Sequence, residues 1–435
     1  MSRFGTFAGI VFVACAPAHG PVSPPAKPAA PSPIQLAEAR RMFAEADALC
    51  AADNGALWGH SLCGPMMFAD RATRFVVANR AATGGALSAR EGVYVGYLPA
   101  DQNIANTAFA WAGETWTQML WPLPHDRDER AILMMHERFH RVQSELGLAA
   151  GAAADNAHLD EVDGRYYLQL EWRALAAALR AQEARARDRA VADALAFRAA
   201  RRRAFPDAAV RENALELNEG LAEYTGVVLG VRGDAQVAAA LRDLEAHVAD
   251  PSFVRSFAYA TGPAYGLLLD RYKPGWRATI AKTRDLSALL AEATRGGPRM
   301  AEEAAAAYDG PALRAAELER AMQRAAAKLK YRRAFVDGPV LVLPFAHMKI
   351  EFDPRAVVPL ADLGSVYPNV RIADDWGVLE VTGGALVRAD WSAVVVVAPT
   401  SAGDRAVPGS WKLDLAIGWK LVPGDRPGDL RVAKP

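Results

Sequence analysis

Hydrophobic and polar positions change their spacing three times along the chain. Residues 34–50 carry apolar side chains at helical spacing, and residues 65–120 hold short β-prone runs separated by Gly, Asp and Asn. Residues 126–333 return to helical spacing in long segments rich in Ala, Leu and Arg. Apolar and polar residues then alternate with a period of two, most clearly at 411–421. Helix, strands, helices and strands are therefore expected in that order.

The predicted fold class is α+β with more than one folded unit, because 435 residues exceed one ordinary core. A mainly helical domain is expected at 34–334, with a β-rich segment (65–120) before its helices (126–333). A small all-β C-terminal domain is expected at 335–435, with Gly383-Gly384 as a hairpin turn between two strand-like runs. Strands of the β-rich segment are predicted at 74–78, 92–98, 107–111 and 115–120.

The N-terminus has the layout of an export signal. Arg3 precedes a short apolar run at residues 7–14 and then small residues, so residues 1–18 are interpreted as a signal peptide. A lipoprotein signal with Cys15 as the lipidated residue is the alternative. Residues 19–33 are rich in proline and are expected to form a linker. We therefore expect an exported protein, periplasmic or extracellular, that touches a membrane only through a lipid on Cys15.

Two cysteines remain once the leader is discounted. Cys50 and Cys63 fit one disulfide that closes a short loop, as is common in exported chains, and they also fit two free buried thiols. Both interpretations stay open at this point. A cysteine-based metal site is not expected, because no CxxC spacing occurs.

The charge balance gives no reason to expect nucleic acid as a partner. Lys and Arg total 50, and Asp and Glu also total 50. A local arginine run is interpreted as a solvated helix face, whereas Glu171, among apolar and aromatic residues, is expected to be partly buried and paired with an arginine. The run consists of Arg198, Arg201, Arg202 and Arg203.

One predicted helix carries residues suited to a metal. It reads His136-Glu137-Arg138-Phe139-His140, and residues four apart lie on one face of a helix, so both imidazoles can point at one ion. Glu137 is rotated by about 100° from His136, where it can reach a water molecule held by that ion. A catalytic zinc needs a third protein ligand and an open fourth position.

A second segment supplies the missing ligand through a family resemblance. Residues 218–222 read Asn-Glu-Gly-Leu-Ala, and an HExxH helix followed by such a segment resembles the gluzincin zinc metallopeptidases, most closely their aminopeptidase-N branch. The resemblance implies that Glu219 is the third zinc ligand and that Glu223 hydrogen-bonds a ligating histidine. The exchanged roles stay open, and so does an exposed acidic helix face that also includes Glu212 and Glu216.

A third segment supports the same resemblance. Tyr259-Ala260-Thr261-Gly262 is similar to the family's Tyr-x-Lys-Gly segment, with Thr261 in place of the lysine. The resemblance implies that Tyr259 donates a hydrogen bond to the oxyanion of the tetrahedral intermediate. Tyr265 and Tyr224 are alternative candidates, and a packed core tyrosine is the alternative interpretation of Tyr259.

The resemblance covers roughly residues 130–275 and has two departures from the family pattern. The 78 residues between His140 and Glu219 (141–218) exceed the spacing in aminopeptidase N. No Gly-x-Met-Glu-Asn segment, which binds the substrate's free α-amine in those enzymes, is present, and residues 113–116 (Gly-Glu-Thr-Trp) match it poorly. The resemblance therefore implies the clan rather than aminopeptidase specificity.

The function implied is that of an exported zinc metallopeptidase. Zinc on His136, His140 and Glu219 would activate a water molecule, and Glu137 would act as its general base on a peptide or protein substrate. The strand region at 111–121 is expected to hold an extended peptide. The alternatives are a zinc hydrolase of a non-peptide amide or ester, and a catalytically silent envelope protein that binds ligands on the same scaffold.

Overall fold

The computed structural model describes residues 34–99, 102–149, 156–294, 299–352, 356–401 and 403–434. The leader predicted at 1–18, including Cys15, and the linker predicted at 19–33 lie outside the described residues. In the described part of the chain, every helix is too short or too polar to cross a membrane.

The fold is α+β, with about 50% helix, about 20% strand and a strand-rich C-terminal region. The prediction is confirmed at this level. The chain divides into two compact units, of which the first continues to Ala249 and resumes at Phe253–Gly310. The second comprises Asp250–Ser252 and everything from Pro311 onward. The domain boundary expected after residue 334 stays a prediction.

Helices of the described residues are numbered in chain order. They are Leu36–Asp53 (α1), Arg127–Val142 (α2), Val162–Arg180 (α3), Ala184–Ala204 (α4), Ala208–Leu215 (α5), Leu221–Gly230 (α6), Asp234–Ala246 (α7), Ser256–Tyr272 (α8), Arg277–Thr283 (α9), Leu286–Ala293 (α10), Ala301–Ala304 (α11) and Gly310–Arg332 (α12). A π-helical turn, Glu216–Gly220, joins α5 directly to α6.

The first unit contains a six-stranded sheet in the order β3-β4-β2-β1-β6-β5. β1 and β6 pair in parallel, and the other neighbouring strands are antiparallel. Four of these strands lie where the alternation predicted them, whereas β1 and β3 had no clear sequence signal. The strands are Met66–Ala69 (β1), Phe75–Ala78 (β2), Ser88–Arg90 (β3), Val93–Tyr97 (β4), Thr107–Trp111 (β5) and Glu114–Leu120 (β6).

Helices α1 and α2 share a core with this sheet. The ring of Phe43 on α1 stacks on Phe68 of β1, with 4.4 Å between centroids. Met134 and Met135 of α2 join the same buried cluster. The amphipathic pattern of α2 is therefore satisfied by the sheet on one side, which fixes the rotation of the helix about its axis.

The second unit contains a seven-stranded sheet in the order β17-β18-β7-β14-β13-β10-β9 and a five-stranded sheet in the order β15-β16-β12-β11-β8. Side chains from both sheets form one buried cluster. The strands are Val340–Pro344 (β7), Lys349–Phe352 (β8), Val358–Pro359 (β9), Gly364–Tyr367 (β10), Val370–Asp374 (β11), Gly377–Val381 (β12), Ala385–Arg388 (β13), Ala393–Val397 (β14), Ala406–Val407 (β15), Trp411–Leu415 (β16), Lys420–Pro423 (β17) and Leu430–Ala433 (β18).

One local prediction for this unit is wrong. Gly383-Gly384 is not a hairpin turn, because the strands on either side, β12 and β13, belong to different sheets. The alternating residues at 411–421 contribute to two strands: β16 ends before Gly418, whose positive φ turns the chain towards β17 in the other sheet. Ile417, between these strands, is fully exposed.

Cys50 and Cys63 form a disulfide. Their sequence separation is 13 residues, and the bond ties the last turns of α1 to the segment that leads into β1. Of the two interpretations that the sequence left open, the structure contains the paired form.

The disulfide is expected to stabilise the protein. The free energy of unfolding of a Cys50→Ser/Cys63→Ser variant should be about 3 kcal/mol lower than that of the wild type, because opening a loop of this length raises the entropy of the unfolded chain by about that amount. Urea unfolding of the variant and of the wild type with and without reductant measures the difference. Wild-type protein that unfolds at the same urea concentration with and without reductant would contradict the assignment.

Candidate metal centre

Helix α2 begins at an acidic cap and is enclosed on all sides at residues 134–139. The Asp126 side chain accepts a hydrogen bond from the backbone N–H of Glu129 at 2.9 Å, and acidic residues in the first turn suit the helix dipole. His136 and His140 follow one turn apart on the same side of the helix. Their Nε2 atoms lie 3.1 Å from each other.

The third side chain comes from the π-helical turn between α5 and α6. Such a turn adds one residue to the helical repeat and shifts the side chains that follow it. Glu219 lies within this turn, and Glu223 lies in the first turn of α6. The extra residue allows Glu216 and Glu219 to point to different partners, which are described below.

Small residues allow α6 to approach α2 closely. A Cβ at Gly226 would lie 2.6 Å from the carbonyl oxygen of Ile132, and a Cβ at Gly230 would lie 2.7 Å from the Ile132 nitrogen. In the π-helical turn before α6, Gly220 packs backbone to backbone against Gly262 of α8. Any larger side chain at these positions would separate the helices that carry the cluster.

His136, His140 and Glu219 therefore meet at one point. Glu219 Oε2 lies 3.6 Å from His136 Nε2 and 3.5 Å from His140 Nε2. All three residues are largely buried, and among the described residues they are the group of His, Cys, Asp and Glu side chains placed to hold a metal ion. The two imidazoles and one carboxylate singled out from the sequence are thus brought together.

The remaining ring nitrogens face hydrogen-bond acceptors. Glu223 Oε2 lies 2.7 Å from His136 Nδ1, and Gln143 Oε1 lies 2.9 Å from His140 Nδ1. With a proton on each Nδ1, both Nε2 lone pairs would point into the cluster. Glu219, rather than Glu223, lies beside both Nε2 atoms. The role of Gln143 was not predicted from the sequence.

The charges of the cluster depend on each other. Burial alone would lower the pKa of His136, but hydrogen bonds to Glu219 and Glu223 raise it well above its usual value. His140 shows the same opposition, and its pKa is also raised. Burial would raise the pKa of Glu219, but hydrogen bonds from the two imidazoles hold it well below the usual range. Protons on these imidazoles would therefore compete with a metal ion for the Nε2 atoms.

Tyr259 lies against the cluster. Its hydroxyl donates to Glu219 Oε2 at 2.6 Å, and its ring stacks on the His136 ring with 5.7 Å between centroids. The two alternative tyrosines are engaged elsewhere: Tyr265 donates to Glu171, and Tyr224 donates to Asp270. Burial and the charge of Glu219 raise the pKa of Tyr259 well above its usual value, so the phenol stays protonated.

Glu137 is buried beside the two histidines without a hydrogen bond for one of its oxygens. Its Oε2 has no partner among the described residues. Burial raises the pKa of Glu137, against the opposing effect of His136 and His140. A buried carboxylate oxygen without a partner is costly, and such groups are frequent where a site binds a ligand or moves a proton.

A network of buried ion pairs holds the helix segment just before Glu219. Glu216 accepts two hydrogen bonds from the Arg198 guanidinium and one from Thr261. Arg198 also donates to Glu171, which accepts a further bond from Arg201. All five side chains are almost completely buried.

The sequence interpretation of these charges is partly wrong. Arg198 and Arg201 do not form a solvated face, and Glu212 and Glu216 do not form an exposed acidic face, because α4 and α5 turn these side chains towards each other inside the unit. The expected ion pair of Glu171 with an arginine is present. Pairing offsets part of the cost of burying each charge, and composition alone does not reveal such pairs.

The region expected to hold a peptide, residues 111–121, includes parts of two strands, and one of them lies at the edge of the sheet. β6 lies between β1 and β5 and is paired on both sides, so it has no free backbone groups for a ligand. β5 is the edge strand and also contacts α2, the helix with the two histidines. Glu114, in the poor match to the amine-binding segment, starts β6 and lies 3.8 Å from Arg80.

Comparisons with known proteins add no relative. No protein-family model matches the chain, and no curated protein or solved structure matches it significantly.

Because α6 approaches α2 closely, a larger residue in place of Gly226 is expected to destabilise the protein. Alanine normally favours a helix over glycine, yet Gly226→Ala should destabilise the first unit by about 1–3 kcal/mol, since its Cβ overlaps the Ile132 backbone. Urea unfolding followed by circular dichroism gives the change. Gly403→Ala, whose Cβ would meet only the Ser401 hydroxyl at 3.5 Å, serves as the control. A Gly226→Ala protein at least as stable as the wild type would contradict this packing.

Proposed function

We propose that the protein is a zinc metallopeptidase whose metal ligands are His136, His140 and Glu219. The supporting observation is the size of the triangle formed by the three ligand atoms, with sides of 3.1, 3.5 and 3.6 Å. Zinc–ligand bonds of about 2.0–2.1 Å at tetrahedral angles require ligand atoms about 3.3 Å apart. Two imidazoles and one carboxylate also match the donor set of catalytic zinc sites with three protein ligands.

The chemistry assigned to the cluster is hydrolysis. Zinc would supply a Lewis acid that polarises the substrate carbonyl and makes water more acidic. Glu137 is placed to accept the proton of the attacking water and to pass it to the leaving amine. Its raised pKa and its oxygen without a partner suit a group that gains and loses a proton during turnover.

Tyr259 is proposed to donate a hydrogen bond to the oxyanion. Its phenol stays protonated at neutral pH, and its hydroxyl already lies within hydrogen-bond distance of Glu219 Oε2. Stacking against the His136 ring restricts the orientation of the phenol, so the donor is held in position before the reaction. Glu223 and Gln143 would fix the imidazole tautomers from the other side.

A peptide is the substrate class that the surroundings favour. Strand β5 has one unpaired edge and contacts the metal-site helix α2, so an extended peptide could add to the sheet there and pass the cluster. A non-peptide amide or ester would use the same chemistry and remains the second candidate. A silent binding protein is less well supported, because it would need neither a buried Glu137 nor a hydroxyl beside the ligand carboxylate.

Substitution of Glu137 tests the catalytic proposal. Glu137→Gln should keep one zinc per chain and lower the rate of peptide hydrolysis by about 100- to 10,000-fold, because the substituted amide cannot accept the proton. Glu145→Gln, an exposed glutamate just after α2, should leave the rate unchanged. Metal analysis and digestion of a peptide library measure both properties. Full activity in Glu137→Gln would refute the role.

Zinc binding is expected to release protons. The pKa values of His136 and His140 are raised, so zinc binding should displace protons, and its affinity should fall by up to about 100-fold per pH unit where both imidazoles are protonated. Glu219, whose pKa is lowered, should release no proton when zinc binds. Calorimetry in two buffers of different ionisation enthalpy counts the protons.

Glu223→Gln provides the matched variant for this titration. The substitution removes a charge that raises the pKa of His136. Zinc binding to the variant should therefore release fewer protons near neutral pH, and its affinity for zinc should be about 10- to 100-fold lower. Zinc binding without proton uptake by the buffer, or identical titrations of the two proteins, would contradict the proposed ligand set.

A further inference from the structure

Arg255 is the exposed cation at the cluster. Its Nη2 lies 3.2 Å from Oε1 of Glu219, the carboxylate whose other oxygen faces the two imidazoles. The Arg255 side chain is 52% exposed, whereas those of Glu219, His140 and His136 are 10%, 14% and 4% exposed. Arg255 is therefore a solvent-exposed group that contacts the buried Glu219 carboxylate.

Most of the hydrogen-bonding capacity of Arg255 is unused. A guanidinium carries five N–H donors in a planar fork, and Glu219 accepts from one nitrogen. Within the described ranges, no other side chain or backbone group pairs with Arg255. An arginine with free donors in a partly desolvated position is well suited to bind a carboxylate through two parallel hydrogen bonds.

We infer that Arg255 recognises a carboxylate on the substrate, next to the bond that is cleaved. This inference rests on the proposed function. Arg255 and the imidazoles contact different oxygens of one carboxylate, so a ligand group on Arg255 would lie within one or two residues of a carbonyl at the cluster, at about 3.3–3.6 Å of chain per residue. The carboxylate would be the C-terminal carboxylate of the departing residue or an acidic side chain on it.

The charges at the cluster do not favour a free amine at this position. Arg255 would repel an ammonium group, and the nearby acids are already engaged or enclosed. Glu219 accepts from Tyr259 and Arg255, and Glu223 is bonded to Nδ1 of His136, the ring atom that faces away from the cluster. This arrangement agrees with the missing amine-binding segment in the sequence.

The competing role for Arg255 is stabilisation of the oxyanion, since it also lies close enough to affect the ionisation of Tyr259. The two roles predict different kinetics. Carboxylate recognition changes the rates of peptides that carry the carboxylate, whereas oxyanion stabilisation changes the rates of all peptides alike.

Matched peptides separate these roles. The first pair consists of a peptide with a free C-terminal carboxylate and the same peptide with a C-terminal carboxamide. In the second pair both peptides end in a carboxamide, and the residue after the scissile bond is Asp in one and Asn in the other. We expect the zinc-loaded wild type to prefer the acid of one pair by about 10- to 100-fold in kcat/KM, as for a hydrogen-bonded charge. Arg255→Gln should reduce this ratio to about one, Arg255→Lys should restore part of it, and Arg271→Gln, an exposed arginine on the same helix, should leave it unchanged.

A binding measurement makes the test independent of turnover. Calorimetry with N-acetyl-phenylalanine and its amide, on zinc-loaded wild type and Arg255→Gln of equal zinc content, should show tighter binding of the acid in the wild type alone. An equal loss of activity on all four peptides, no acid preference in the wild type, or equal binding of acid and amide would overturn the inference. Absence of peptide hydrolysis with retained acid-selective binding would instead reject the proposed function and keep the recognition site.

Discussion

The whole site depends on the distance between two helices. Glu219 in the π-helical turn and Glu223 in α6 reach opposite sides of one imidazole because Gly226 and Gly230 let the α6 backbone approach that of Ile132 on α2. Met134 and Met135 of α2 also belong to the buried cluster that this helix shares with the sheet. Two elements far apart in sequence thereby become one rigid support, which a metal centre needs if its ligands are to be held before the ion arrives.

Buried charge secures the turn that carries the third ligand. The π-helical turn adds a residue between Glu216 and Gly220, so Glu216 faces Arg198 while Glu219 faces the histidines. The two carboxylates of this turn therefore have different roles: Glu216 forms a structural ion pair, and Glu219 is the proposed metal ligand. Because Arg198 is almost completely buried, moving Glu216 would leave two nitrogens of its guanidinium without an acceptor, which is unfavourable.

The sequence predicted the main parts of this arrangement and missed others for identifiable reasons. Helical spacing placed His136 and His140 together, and a short family-like segment indicated Glu219. The π-helical turn was not predictable, because one extra residue in a helical turn depends on packing and leaves no distinct pattern in the sequence. Buried Arg198 resembled a solvated residue, since periodicity marks apolar residues and not charges that find partners in the fold. The turn at Gly383-Gly384 was misassigned because strand pairing is decided by tertiary contacts.

The most direct test of the central claim is anomalous diffraction from zinc-loaded crystals, recorded on both sides of the zinc absorption edge. The account predicts one strong peak per chain, within about 2.0–2.2 Å of the Nε2 atoms of His136 and His140 and of Glu219 Oε2. A peak elsewhere on the protein, or none at full zinc occupancy in solution, would contradict it.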